Sequence, residues 1–172
     1  MMNKTYSAVF LACMGLGLAG CNDSDDAQTI TSPPVVEEAT PNSIELVHLA
    51  SYESGIFGQS AAEIPAYDAA SKRLFVVNAQ KGMVDVLDFS QPAQPTYIQS
   101  LDAKTYLANS EVNSVAVHNG IVALAVQAED KTQTGIVAFF KAQDLSFISQ
   151  VNVGALPDML TFTPDGRKVL VA

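Results

Sequence analysis

Short apolar runs separated by Gly, Pro, Asn and Asp fill the chain from Ile44 onwards, and no long stretch shows the 3.6-residue period of a helix. Such runs predict an all-β domain. The dipeptides Asn119-Gly120 and Asp165-Gly166 tolerate positive φ, so each predicts a tight hairpin turn. Residues 103–110 predict a single helical turn or a loop. The expected strands are Ile44–Leu49, Arg73–Val77, Met83–Phe89, Thr96–Leu101, Val115–Val117, Ile121–Val126, Ile136–Phe140, Phe147–Val151 and Lys168–Val171.

The strand pattern repeats along the chain. An acidic residue precedes each copy, and Glu63, Glu111 and Asp158 stand 48 and then 47 residues apart. A period of this length is typical of repeat folds, and four antiparallel strands in each copy predict the blade of a β-propeller. Residues 44–172 would supply about two and a third blades of about seven.

Specific residues resemble a known family. Leu74–Asn78 followed by Val84–Asp88 resembles the YVTN type of propeller repeat, and Phe162–Val171 resembles a hairpin common to many propellers. Together with His48–Gly55 and Ala62–Asp68, the stretch is similar to the choice-of-anchor I family of bacterial surface propellers. The resemblance implies a closed propeller attached to a cell surface, and some members carry phosphatase or nucleotidase names.

The first twenty residues predict a lipoprotein signal peptide. Lys4 precedes an apolar run from Tyr6 to Leu18, which is about 13 residues long and too short for the roughly 20 that span a bilayer. The sequence Leu18-Ala19-Gly20-Cys21 then resembles the lipobox of bacterial lipoprotein precursors. The resemblance implies that lipid, including palmitate-like acyl chains, is attached to Cys21. The alternative is an ordinary secreted protein with a free thiol at Cys21.

Residues 21–43 predict a disordered tether, because they are polar and rich in Pro, Ser and Thr. Asn22 follows the lipidated cysteine directly. By resemblance to the sorting rules of enteric bacteria, this residue favours the outer membrane of a Gram-negative cell envelope.

The charge balance excludes one class of partner. Nine Lys and Arg residues face eighteen Asp and Glu residues, for a formal net charge of −9. Nucleic acid binding requires clusters of basic residues, so no nucleic acid partner is expected. Of the two cysteines, Cys13 would be removed with the signal peptide and Cys21 would carry lipid. The mature domain therefore depends on packing and not on a disulfide.

Candidate chemistry is limited to carboxylates. Glu63, Glu111 and Asp158 precede the first strand of each copy and predict a ring at one mouth of the propeller channel, where a hard cation such as Ca²⁺ would find oxygen ligands. The alternative is that each is a solvated turn residue. Glu53 and Asp68 are weaker candidates for the same rim.

The remaining polar residues point to no catalytic centre. His48 and His118 lack a partner at metal-ligand spacing, so surface or packing roles are expected. No G-x-S-x-G, H-E-x-x-H or P-loop motif occurs in the sequence. Four basic residues are expected to be exposed turn charges, namely Lys72, Arg73, Arg167 and Lys168.

The leading hypothesis is a membrane-tethered binding or scaffold module with an unknown ligand or protein partner. One alternative is a propeller hydrolase of phosphate esters, similar to alkaline phosphatases or nucleotidases. A second alternative is a structural component of a surface layer or an adhesion system. The third copy of the repeat stops within its second strand, so we expect the chain to be the N-terminal part of a longer protein. Alone, residues 22–172 are expected to be poorly soluble, oligomeric or partly unfolded.

Overall fold

Two four-stranded antiparallel sheets and one two-stranded hairpin form the part of the chain that the computed structural model describes, residues 45–172. The first sheet contains β1 (Pro65–Asp68), β2 (Arg73–Asn78), β3 (Met83–Asp88) and β4 (Thr96–Leu101). The second sheet contains β5 (Glu111–His118), β6 (Ile121–Gln127), β7 (Thr134–Lys141) and β8 (Phe147–Ala155). The third hairpin contains β9 (Leu160–Phe162) and β10 (Val169–Val171).

The prediction of an all-β domain is confirmed. Within residues 45–172 the single helical element is a 3₁₀ turn at Ala103–Thr105, inside the stretch expected to form one helical turn or a loop. The predicted signal peptide and the predicted tether lie outside the described residues. No helix of residues 45–172 is long and apolar enough to cross a membrane.

Sequential hairpins connect the strands, and each sheet follows the chain order. Asn119 and Gly120 join β5 to β6 with φ values of 46° and 77°, as the turn prediction requires. Gly166 has φ 67° in the turn between β9 and β10. Both predicted hairpins are therefore present.

Alternating side chains of the two large sheets meet in the main core. Its largest fully buried members include Phe75, Val84 and Val86 from the first sheet and Leu124 and Val126 from the second. A second, smaller core lies between the other face of the second sheet and the third hairpin. The second sheet is thus covered on both faces, which explains why β6 is buried almost throughout.

The first strands of the three repeats lie side by side and run in the same direction. At their starts, Val112 N–H donates to the Gly82 carbonyl across 3.1 Å, which joins β5 to the turn between β2 and β3. At their ends, Gly120 N–H donates to Asp68 Oδ1 across 3.2 Å. The starts of these first strands therefore lie next to one another, and so do their ends. Closure into a complete propeller stays a prediction.

Residues 45–49, the described part of the strand expected at Ile44–Leu49, form no strand within residues 45–172. Leu46 is 95% exposed, Val47 68% and Leu49 65%. An extended segment becomes a strand only when a neighbouring strand accepts and donates its backbone hydrogen bonds. No such neighbour pairs with this segment within residues 45–172.

Candidate functional site

The carboxylates predicted to form a rim fall at two different levels of the sheets. Glu63 N–H donates to the Val77 carbonyl across 3.0 Å, and Asp158 N–H donates to the Ala172 carbonyl across 2.9 Å. Val77 and Ala172 hold the same position in the second strands of their repeats. Leu74 and Val169 are the matched first residues of these strands, and Val77 and Ala172 each come three residues later. Glu63 and Asp158 are therefore structurally equivalent.

Glu111 is not the residue of the second sheet that is equivalent to Glu63 and Asp158. The prediction that the three acidic residues hold matched positions is therefore wrong for Glu111. Ser114 pairs with Ala125, which corresponds to Val77, so the residue that matches Glu63 is Asn113. The cause is the turn between β5 and β6, which has two residues instead of the four between β1 and β2. Equal spacing along the chain therefore concealed a shift of two residues.

Glu111 instead belongs to a chain of hydrogen bonds that crosses to the third hairpin. Gln127 Nε2 donates to Glu111 Oε2 across 2.8 Å, and Asn113 Nδ2 donates both to Gln127 Oε1 and to the Pro157 carbonyl, each across 2.9 Å. Asn113 can reach outwards because the β5–β6 ladder shifts register between Val112 and Ser114. The network connects the start of β5 to the residue beside Asp158.

Glu63 and Asp158 expose their side chains, and Glu111 is also exposed. Carboxylate oxygens of this kind bind hard cations, but a cation site needs several ligands that converge on one point. Among residues 45–172, no group of three or more His, Cys, Asp and Glu side chains is placed to hold a metal ion. The matched positions near the strand starts therefore carry two carboxylates and, between them, an amide, and both the rim and cation binding there stay predictions.

The two weaker rim candidates lie elsewhere. Asp68 sits at the end of β1, away from the strand starts, and it is only 4% exposed. Its Oδ2 accepts from Ser71 N–H across 2.8 Å while Oδ1 accepts from Gly120 N–H. Asp68 thus joins the two large sheets. Glu53 is exposed and precedes β1.

The prediction that Arg73 is an exposed turn charge is wrong. Its Nη1 donates to the Ala142 carbonyl across 2.7 Å, and the side chain is partly buried between the two large sheets. The reason is that β2 begins beside the β5–β6 turn, within reach of the second sheet. The other three basic turn residues are exposed as expected, namely Lys72, Arg167 and Lys168.

The two histidines have the surface and packing roles expected of them. His48 is exposed, and its Nε2 lies 3.0 Å from Ser51 Oγ. His118 is half-buried at the end of β5, where its ring stacks on Phe162 at a centroid distance of 5.6 Å. Asn119 Nδ2 lies 3.0 Å from His118 Nε2.

A buried polar cluster on the first sheet was missed by the sequence reasoning. Asp85 is 2% exposed, and it accepts from Asn78 Nδ2 across 2.8 Å and from Ser100 Oγ across 2.6 Å. Burial raises the pKa of the nearby Tyr52 hydroxyl, and the negative charge of Asp85 raises it further. The available signal was a charged residue between two valines in β3, with an asparagine closing the neighbouring strand.

Comparison with known proteins identifies a family for most of the folded part. The family model described as Choice-of-anchor I domain matches residues 63–172. No curated protein matches the chain. Among solved structures, hydrazine synthase of Kuenenia stuttgartiensis is similar, with a TM-score of 0.49 and 16% sequence identity over 64% of this chain. The match spans 29% of the length of that structure.

Proposed function

We propose that this chain, which belongs to the choice-of-anchor I domain family, is a lipid-tethered binding or scaffold module of the cell envelope. The choice-of-anchor I domain indicates a surface-associated protein. Cys21 would carry the lipid, and residues 22–43 would hold the folded part away from the membrane. The sheets would form part of a β-propeller that presents its strand starts to a ligand.

The anchor proposal rests on the position of Leu18-Ala19-Gly20-Cys21 directly after the apolar run. Several acyl chains on one cysteine, each worth about 0.8 kcal/mol for every buried CH₂, would make membrane attachment effectively permanent. By resemblance to sorting rules, Asn22 supports an outer-membrane destination. No membrane-spanning helix is needed for attachment of this kind.

The anchor is tested by replacing Cys21 with Ala. We expect loss of labelling by a radioactive fatty acid and accumulation of uncleaved precursor, read by mass spectrometry of the N-terminus. Replacing Cys13 with Ala is the matched control, because that cysteine lies within the signal peptide and should not affect maturation. Normal processing of the Cys21→Ala protein would exclude lipid attachment at this residue.

The observation that carries the binding role is the matched placement of Glu63, Asn113 and Asp158 at the starts of three adjacent strands that run in the same direction. Oxygen-bearing side chains at equal positions of successive repeats give a ligand several similar contacts at once. Their chemistry suits a hard cation or a ligand with several hydroxyl or amino groups. The net charge of −9 attracts cations to this surface as well.

Calorimetric titration with Ca²⁺ tests the rim. We expect a weak binding isotherm for the unaltered protein and its loss in the double variant Glu63→Gln with Asp158→Asn. Glu111→Gln is the matched control, because Glu111 lies at a different level and accepts from Gln127. A control that loses as much heat as the double variant would contradict the assignment of the rim to Glu63 and Asp158.

A further inference from the structure

The turn between β5 and β6 contains the one Asn-Gly dipeptide of the sequence, Asn119-Gly120. Asn119 is exposed, and its backbone has a left-handed φ of 46°. Gly120 follows with φ 77°, and a Cβ placed there would have no atom within 4 Å. The backbone nitrogen of the next residue can attack an asparagine side chain at Cγ, and glycine hinders this attack least because it has no side chain. The turn is therefore a candidate site of chemical modification.

The attacking group would be the Gly120 nitrogen, and a buried carboxylate contacts it. The Gly120 N–H donates to Asp68 Oδ1 across 3.2 Å, and Asp68 is only 4% exposed. The Gly120 carbonyl accepts from Ala142 N–H across 2.8 Å, so the glycine is held on both sides. A carboxylate that accepts a hydrogen bond from an attacking N–H draws the proton away and makes the nitrogen a better nucleophile. Asp68 therefore has the position of a general base.

The leaving group also has a partner. Asn119 Nδ2 lies 3.0 Å from His118 Nε2. His118 is half-buried, and its ring stacks on Phe162, which holds the imidazole in place. Loss of the amide nitrogen as ammonia requires one added proton, and an imidazole that carries its proton on Nε2 can supply it. His118 therefore has the position of a general acid.

We propose that Asn119 is a site of spontaneous deamidation, with Asp68 as the base and His118 as the acid. The Gly120 nitrogen gives its proton to Asp68 Oδ1 and forms a bond to Asn119 Cγ. The bond between Cγ and Nδ2 breaks, and Nδ2 leaves as ammonia with a proton from His118, so that a five-membered imide remains. Water, the one co-reactant, adds to either imide carbonyl and opens the ring to aspartate or to isoaspartate. Asp68 then releases its proton to solvent, and His118 regains one from solvent.

The reaction changes the contact between the two large sheets. The imide nitrogen carries no hydrogen, so Asp68 loses one of its two N–H donors and keeps only Ser71. Ring opening restores the N–H but leaves a new carboxylate in the turn. Isoaspartate also adds one backbone atom to the two-residue turn that closes the His118–Ile121 pair, and turn length sets the register of a hairpin. Modification therefore loosens the contact irreversibly with time.

The site is tested on the folded full-length protein, incubated at neutral pH. Peptide mass spectrometry follows the fraction of each asparagine that is modified, and enzymatic methylation of the isoaspartate carboxylate counts that product separately. Asn109 is the matched control within the chain, because it is also exposed, with φ 53°, but precedes Ser110. We expect Asn119 to be modified many-fold faster than Asn109. An Asn119 that stays intact for as long as Asn109 would overturn the proposal.

Asp68→Asn tests the base, because it keeps the shape of the side chain and an acceptor oxygen but removes the carboxylate. We expect modification of Asn119 to be several-fold slower in the folded variant than in the folded unaltered protein. The two proteins should be modified at equal rates in urea, where the contact is absent. If Asp68 only held the turn in place, the variant would loosen the turn and modification would become faster. Equal or faster modification of the folded variant would therefore overturn the proposal, as would a difference that persists in urea.

His118→Phe tests the acid, because it keeps a ring against Phe162 and loses the Nε2 atom beside Asn119. Circular dichroism establishes that each variant is folded before incubation. We expect several-fold slower modification of Asn119 in this variant as well, and a rate equal to that of the unaltered protein would exclude His118 as the acid and overturn the proposed mechanism. These measurements require neither lipid on Cys21 nor a bound ligand, so they are independent of the proposed function.

Discussion

The contact between the first and second sheets and the contact between the second sheet and the third hairpin use the same geometry but different side chains. Between the two large sheets, bulky residues such as Phe75, Leu124 and Phe140 fill a continuous core. Between the second sheet and the third hairpin, the fully buried residues are smaller and fewer, with Ala123 and Ala125 at the centre. Successive repeats thus share a backbone plan while the side chains that fill each contact differ.

Polar residues at the strand ends show the same contrast. Asp68 and His118 each end the first strand of their sheet, and each lies against the turn of the following repeat. Asp68 accepts a hydrogen bond from the Gly120 N–H, whereas His118 packs its ring against Gly166. A repeat fold therefore fixes where successive units touch and leaves the chemistry of each contact free to vary.

Phe75→Ala should have the largest effect on this comparison. Phe75 is fully buried between the large sheets, and removing a buried Phe side chain costs about 3–5 kcal/mol of unfolding free energy. Leu160→Ala in the smaller core is the matched variant. It should cost less, because Leu has a smaller side chain than Phe and Leu160 belongs to the smaller cluster. Urea denaturation measures both, and equal losses would contradict the difference between the two contacts.

Gly135→Ala should be next in magnitude. A Cβ at Gly135 would lie 2.5 Å from Pro157 Cδ and 2.7 Å from the Val126 carbonyl oxygen, so the third hairpin would have to move. Overpacking of this kind costs about 1–3 kcal/mol. Gly154→Ala in β8 is the matched control, because nothing lies within 4 Å of its Cβ position and its φ is not positive. Thermal unfolding of both variants should show a loss for Gly135→Ala alone.

Local patterns in the sequence were sufficient to predict the fold class, the two turn dipeptides and nearly all strands. These features depend on side-chain alternation and on residues that tolerate positive φ, both of which are properties of neighbouring residues. The strand expected at Ile44–Leu49 is not formed within residues 45–172, because a strand needs a partner and pairing depends on residues distant in the sequence. The prediction of an exposed Arg73 was wrong because its hydrogen-bond acceptor, the Ala142 carbonyl, is 69 residues away in the sequence.

The candidate site shows how a spacing argument goes wrong. Glu63, Glu111 and Asp158 are almost evenly spaced along the chain, but the short turn after β5 moves the matched position to Asn113. Register in a hairpin follows from turn length, and a change of two residues keeps the same face while it shifts the level along the strand. A comparison of the two turn lengths, between β1 and β2 and between β5 and β6, would have revealed the shift of two residues.

Asp68→Ala should destabilise the contact between the large sheets. The change leaves the N–H groups of Ser71 and Gly120 without their acceptor, and an unpaired buried polar group costs about 1–3 kcal/mol. Asp158→Ala is the matched control, because Asp158 is exposed and its backbone N–H bond to Ala172 would remain. Chemical denaturation that shows equal stability for the two variants would remove Asp68 from the contact between the sheets.

Acid titration should give the smallest effect, and it compares a turn inside the second sheet with the turn of the third hairpin. The Ser146 hydroxyl and N–H, both donating to Asp144 Oδ1, hold the pKa of that carboxyl below its usual range. The Thr163 hydroxyl and the Arg167 N–H lower the pKa of Asp165 in the same way, and the nearby His118 adds to this.

A carboxyl whose pKa is lower in the folded than in the unfolded protein stabilises the fold above its unfolded pKa. That stabilisation is lost as the pH falls through the folded pKa. The unfolding free energy should therefore decline on acidification through the lower part of the usual Asp range. Carboxyl carbon shifts in NMR titrations of the protein measure the individual pKa values.

Ser146→Ala should raise the pKa of Asp144 towards its usual value and leave Asp165 unchanged. His118→Phe should do the opposite and raise only the pKa of Asp165, by less, because His118 contributes less than the two hydrogen bonds. Ser149→Ala, on exposed β8 and without a carboxylate contact among the described residues, is the control and should move neither pKa. An unchanged Asp165 in the His118→Phe protein would mean that the histidine at this contact acts by packing on Phe162 alone.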